Sequence, residues 1–191
     1  MLTNRSIRPS WLRSAESTPI PERAFPLIQR PARRETDFFE QMASRSLSAC
    51  SKILSFEVVE SEHEVAARLA LAANTRLLKL ERLRLAGDEP FAIETCYLPA
   101  EEFAGLTRSL LVRGSLFSIL ESTYGIQIAY ADEEMDATAA APATASLLKV
   151  ARAEPLLRIR QVIYSTKGKA ALYVLGLYRS DRHTLLVRRF R

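Results

Sequence analysis

Two arginines spaced two apart, Arg82 and Arg84, stand in the run KLERLRLAGDEPFAIETCYLP (residues 79–99), and a single carboxylate, Glu94, follows them across a turn signal. Guanidinium forks bind carboxylate or phosphate with two parallel hydrogen bonds, and a nearby carboxylate can orient one of them or accept a ligand hydroxyl. The two-residue period of a strand puts Leu78, Leu80, Arg82 and Arg84 on one face. A turn centred on Asp88 sets Arg82 opposite Glu94 and Arg84 opposite Ala92. Such a mixture of leucines and charges fits the floor of an anion pocket. It also fits an exposed cross-strand ion pair, which contributes little. Spacing leaves both open.

A second polar cluster, Tyr178-Arg179-Ser180-Asp181-Arg182-His183, closes another strand-like run. It offers a tyrosine hydroxyl and a further cation to a pocket, or simply the turn into a last strand through Asp181 and Arg182. For catalysis the chain carries little. The two histidines, His63 and His183, and the two cysteines, Cys50 and Cys96, lack the spacing of a metal site, so no metal is expected. No motif supports a serine or cysteine nucleophile beside His183. The six glycines are scattered, so there is no phosphate-cradling loop and no cofactor is expected. The acidic run ADEEMD (131–136) reads as a solvated strand face.

These side chains must be held by elements that recur along the chain. KILSFEVVE (52–60) reads as a strand. Ser61 with Glu64 forms a capping box that opens a helix bearing Val65, Leu69 and Ala72. Strands 76–86 and 91–98 flank the turn Gly87-Asp88-Glu89-Pro90. A short helix from Ser115 to Ser122 turns Leu116, Ile119 and Leu120 inward, and Gly125 leads to a strand over 126–136. Pro142 suits the first turn of a helix over ATASLLKV. The hairpin PLLRIRQVIYS, Lys167-Gly168, AALYVLGLY follows, and HTLLVRRF is a final strand. Strands outnumber helices and tight turns join them, which is the pattern of an α+β domain: an antiparallel sheet covered by helices.

At 191 residues, with 48% hydrophobic and 26% charged residues, the chain has the composition of one globular domain. No window approaches the roughly 18 consecutive apolar residues of a membrane span. There is no secretory h-region, and two cysteines make no disulfide framework, so a cytoplasmic location is expected. The net charge of +5 is concentrated at the ends. Residues 1–35 hold seven arginines and three glutamates, and VRRFR adds three arginines, leaving the middle slightly acidic. Phosphate-backbone attraction would have to come from those ends, which read otherwise as solubilising arms. Five prolines in residues 1–35 mark that stretch as an arm or linker, with residues 36–191 as the domain. Thr36 or Asp37 caps a helix through FFEQMASR.

Taken in order, these pieces resemble the effector-binding (UTRA) domain of GntR-superfamily, HutC-type transcription regulators. The resemblance rests on RLRLAGDEPFAIETCYLP, GSLFSILESTYGI, PLLRIRQVIYS and YRSDRH, and it runs from about residue 36 to 190. It implies a chorismate-lyase-like fold with a small-molecule pocket against the sheet. By the same resemblance Arg82, Arg84, Glu94, Ser115, Phe117 and Tyr178 fall on pocket positions, which favours the pocket over the exposed hairpin. It further implies a non-catalytic sensor of a small anionic metabolite (a sugar phosphate, carboxylate or phosphonate) that forms a homodimer. The chain departs from the family pattern at Leu172, where a glutamate is frequent, at Phe117, where tyrosine is frequent, and at Ser180 and His183. Residues 1–28 are too short and proline-rich for the family's winged helix, so DNA contact is expected only through such a domain absent from this chain. Gln29-Arg30-Pro31 resembles the linker after it. Two rivals remain: a chorismate-lyase-like enzyme of similar length, and a dimerising interaction module without its own ligand.

Overall fold

In the computed structural model, residues 49–113 and 115–183 are described. Among these residues six strands form one antiparallel sheet: β1 (Ala49–Glu60), β2 (Arg76–Ala86), β3 (Glu89–Pro99), β4 (Ile128–Ala139), β5 (Pro155–Ser165) and β6 (Ala170–Arg179). Their order is β1-β2-β3-β6-β5-β4. Two hairpins, β2–β3 and β5–β6, therefore meet at the centre of the sheet along β3 and β6. Among the described residues four short helices accompany them: α1 (His63–Arg68), α2 (Arg108–Arg113), α3 (Leu116–Tyr124) and α4 (Pro142–Leu148). The α+β expectation holds, with strand alternation deciding what each helix covers.

On one face Leu78, Leu80, Cys96, Leu98, Leu172 and Val174 pack under α2 and α3, which contribute Leu111, Leu116, Ile119 and Leu120. The opposite face has two smaller cores. Val65 and Leu69 of the α1 segment cover Leu77, Val162 and Tyr173. Ala145 and Leu148 of α4 cover Leu83, Leu85, Ile93 and Leu156. The central strands are apolar on both faces at these points, as burial on both sides requires.

The elements differ from expectation where a terminus was at stake. Ser61 does not cap α1: Glu62 holds the N-cap position without a side-chain bond, and the Ser61 hydroxyl is buried without a partner. Ser61 is instead drawn into the chain return, its amide donating to the Thr75 carbonyl. The helix ends at Arg68 and Ala70 turns left-handed (φ 53), so Ala72 lies beyond it. The six-residue α2 had no sequence signal. The helix expected from Ser115 to Ser122 runs from Leu116 to Tyr124: Ser115 stands before it as its cap, accepting from the Ser118 amide, and Gly125 ends it at φ 65, a conformation that glycine adopts without a Cβ clash. Pro142 begins α4. The expected helix through FFEQMASR and the last strand beyond His183 lie outside the described residues, as does the arm of residues 1–35.

Candidate functional site: a buried arginine–glutamate–tyrosine cluster

The β2–β3 hairpin forms in the expected register, Arg82 opposite Glu94 and Arg84 opposite Ala92, with a bulge between Arg84 and Leu85. Antiparallel pairing extends these rows across the sheet. Arg82, Glu94, Gly176 and Ile159 make one row, and Arg84, Ala92, Tyr178 and Leu157 the next. Alternation brings all of them to the face that carries α2 and α3, beyond the apolar rows those helices cover.

The three charged side chains are buried: Arg82 is 4% exposed, Arg84 5% and Glu94 7%. The carboxylate does not bond its directly opposite neighbour. Arg84 donates from Nε to Glu94 Oε2 at 2.7 Å, and its second terminal nitrogen lies 2.7 Å from the same oxygen. Arg82 stays 3.6 Å from it. The diagonal pair thus wins, within the reach that long side chains have on a twisted pair of strands. Arg84 also donates to the Ser51 hydroxyl on β1 at 2.6 Å, and the Tyr178 hydroxyl donates to Glu94 Oε1 at 2.9 Å.

Arg82 is held differently. One terminal nitrogen approaches the Cys96 thiol at 3.5 Å, and Nε has no acceptor. Burial, and then the neighbouring Arg84, push the Arg82 guanidinium down from the ordinary arginine range. Burial acts against charge on Glu94 and Arg84 as well, but their mutual attraction outweighs it: Glu94 is held below the usual carboxylate range and Arg84 is raised. Burial pushes the Cys96 thiol up, so it stands here as a neutral sulfur acceptor.

Gly176 is what lets Tyr178 reach the carboxylate. A Cβ on Gly176 would lie 2.3 Å from Tyr178 Cε2, so the phenol ring occupies the space that glycine leaves. Phe91 packs edge-on to Tyr178 at 6.1 Å between centroids, and the His183 ring lies 4.7 Å away. Gly176 is missing from the sequence-derived site. Its only signal was a glycine inside an apolar strand, which marks a close approach.

The YRSDRH segment splits between the two faces. Tyr178 joins the cluster, whereas Arg179 points the other way. Its fork pairs with Asp181 at 3.0 and 2.7 Å, and its remaining nitrogen donates to the carbonyls of Pro90 and Leu148. Arg182 approaches Glu89 at 3.4 Å. Arg179, Asp181 and Arg182 therefore tie the chain end to the β2–β3 turn and to the last residue of α4. Ser115 sits at the start of α3, and Phe117 packs half-buried against the core beneath that helix. Of the six residues the sequence singled out, Arg82, Arg84, Glu94 and Tyr178 form one connected cluster. Ser115 and Phe117 belong to α3, which covers the same face of the sheet. Among the described residues no group of three or more His, Cys, Asp or Glu side chains could hold a metal ion.

The family model for the UTRA domain matches residues 44–184. The chain belongs to the UTRA domain family. The HTH-type transcriptional repressor NagR of Bacillus subtilis (strain 168) is 30% identical over 161 residues, which cover 84% of this chain and 66% of NagR. The chain thus spans just under two thirds of that relative's length. The ligand-binding domain of a GntR-family transcriptional regulator from Bordetella bronchiseptica superposes with a TM-score of 0.71 at 30% identity, over 75% of this chain and 91% of that one. The effector domain of PhnF from Mycobacterium smegmatis shares the fold, with a TM-score of 0.78 at 22% identity over 86% of this chain and all of the other. The UTRA assignment makes this a ligand-sensing domain of the GntR/HutC regulators, and the buried cluster lies on its central strands. No helix among the described residues is long and apolar enough to cross a membrane.

Proposed function

We propose that this UTRA domain senses a small anionic metabolite through Arg82, Arg84, Glu94 and Tyr178, with Ser115 and Phe117 lining the same site from α3. The observation that carries the reading is the buried charge itself. Two guanidiniums share one carboxylate, and Arg82, 4% exposed, has an Nε without an acceptor. An incompletely compensated cation in a protein interior is costly, and an anionic ligand relieves that cost when it binds. Affinity for an anion is then greatest where water is excluded and the donors are already fixed.

In this reading the domain carries out no chemistry. Glu94 is committed to Arg84 and Tyr178, and the Cys96 thiol is protonated, so neither serves as base or nucleophile. The domain works in the cytoplasm as a homodimer. Its ligand changes the disposition of winged-helix domains that lie outside these residues and read DNA. The effector is a sugar phosphate, carboxylate or phosphonate.

Thermal unfolding of the wild type and of Arg82→Ala against a panel of such anions tests the proposal. A ligand present at about 100 times its dissociation constant stabilises the native state by roughly 2.7 kcal/mol. The expected result is a rise in Tm for the wild type that disappears in Arg82→Ala. Equal shifts in both proteins would place the anion elsewhere.

A further inference from the structure

The sheet ends in two unlike edges. Among the described residues β4 has a neighbour only in β5, and β1 only in β2. β4 carries Asp132, Glu133, Glu134 and Asp136 and no basic residue, a charge pattern that keeps an open edge from pairing with its own copy. β1 is as long, at 12 residues, but its charges are limited to Lys52, Glu57 and Glu60. Exposed apolar side chains gather on its side of the molecule. Val58 is 58% exposed, and Leu110 and Val112 of α2, which packs against β1, are 41% and 69% exposed. The Ile53 carbonyl accepts from Arg108, an exposed side chain of α2, at 2.9 Å, a donor that the amide of another strand can replace.

β1 also carries a bulge at its middle. Ile53 faces Arg82 and Ser55 faces Glu81, with Leu54 the extra residue. The bulge shifts the alternation by one. Ile53 and Phe56 therefore pack together on the face under α2 and α3, whereas Leu54 and Val59 pack on the other. Two copies of one strand pair antiparallel about a two-fold axis normal to the sheet, and each residue then needs a partner from its own face. In an unbroken strand, an axis between two neighbouring residues would set opposite faces against each other. Across this bulge, an axis between Leu54 and Ser55 matches faces throughout. Ile53 then meets Phe56, Ser51 meets Val58, Cys50 meets Val59, and each Lys52 meets a Glu57.

We infer that β1 is the surface through which two copies of this domain dimerise, in that register, so that one sheet runs through both. The inference rests on the homodimer proposed above and names its face. It also puts the interface beside the sensing cluster, because Ser51, which accepts from Arg84 at 2.6 Å, lies in the paired segment.

Val59→Cys tests the register, since it sets a thiol opposite the native, exposed Cys50 of the second copy. Directly opposite Cα atoms lie roughly 4.5–5.5 Å apart, within reach of a disulfide. Within one copy positions 50 and 59 are about 30 Å apart along the strand, and Cys96 is buried on the other face. Under oxidised glutathione, Val59→Cys is expected to run as a covalent dimer on a non-reducing gel. The wild type and Val59→Cys/Cys50→Ser are expected to run as monomers there, while the wild type is a dimer by light scattering. A second readout needs no thiol: Lys52→Glu should weaken the dimer about fivefold or more, and adding Glu57→Lys should recover it. A dimeric wild type with no cross-link in Val59→Cys and no recovery in the charge swap would overturn the β1 interface and leave the homodimer standing on another face. A monomeric wild type would end both.

Discussion

At the scale of single residues, the cluster makes two separable predictions. Glu94→Ala leaves Arg82 and Arg84 buried without their shared carboxylate, and breaking a buried pair from one side costs roughly 3–5 kcal/mol. Tyr178→Phe removes one hydrogen bond to that carboxylate and costs about 1–3 kcal/mol. Urea unfolding of the three proteins should therefore rank Glu94→Ala well below Tyr178→Phe. Similar midpoints for the two variants would mean that Glu94 is not the charge that holds the arginines. Gly176→Ala puts a methyl group 2.3 Å from the Tyr178 ring. The overpacking costs about 1–3 kcal/mol and moves the phenol off Glu94. In a Tyr178→Ala background the same Gly176→Ala change should cost far less than it costs the wild type, because the clash is with the ring and not with the backbone. A double variant as unstable as the sum of its parts would place the clash elsewhere.

At the scale of elements, helix placement on the second face depends on ion pairs that acid should dismantle in order. Arg68 of α1 reaches Glu134 on β4 at 2.5 and 2.9 Å, and Arg160 and Arg158 continue the ladder to Asp136. The hydrogen bond from Arg158 holds the Asp136 carboxyl down at about 2, and the bond from Arg68 lowers Glu134. A carboxylate with a depressed native pKa stabilises the fold fully above its unfolded value, and that contribution is lost as pH falls through the native value. Stability measured from neutrality downward should thus hold until about pH 4 and then decline towards pH 2. Asp136→Asn should flatten the lower part of that limb by lowering the neutral plateau, modestly because the pair is exposed, and should meet the wild type near pH 2. An unchanged acid limb in the variant would remove the ladder from the account. At the other helix, Leu148 is fully buried beneath α4, and Leu148→Ala should cost about 2–5 kcal/mol in the same unfolding assay.

At the scale of the whole molecule, the sequence by itself determined the α+β class, the β2–β3 register and the existence of α3. These follow from local physics: a two-residue period, a tight turn at Gly87-Asp88, and apolar residues at helical spacing in Leu116, Ile119 and Leu120. The ordered motifs also carried the UTRA family. The tertiary structure alone decided whether the hairpin charges were solvated or buried, because alternation assigns a face without saying what covers it. It placed Arg84, and not the opposite Arg82, on Glu94, since diagonal reach depends on sheet twist and on which acceptors are near. It brought Tyr178 beside Glu94 across 84 residues of chain and revealed Gly176 as the space that Tyr178 fills. It sent Arg179 to the other face, to the carbonyls of Pro90 and Leu148. It also withheld the Ser61 cap, because the chain return to Thr75 claimed that residue first. Local propensities fix what each segment becomes. Which charges are left uncompensated in the interior is a property of strands distant in sequence and adjacent in space.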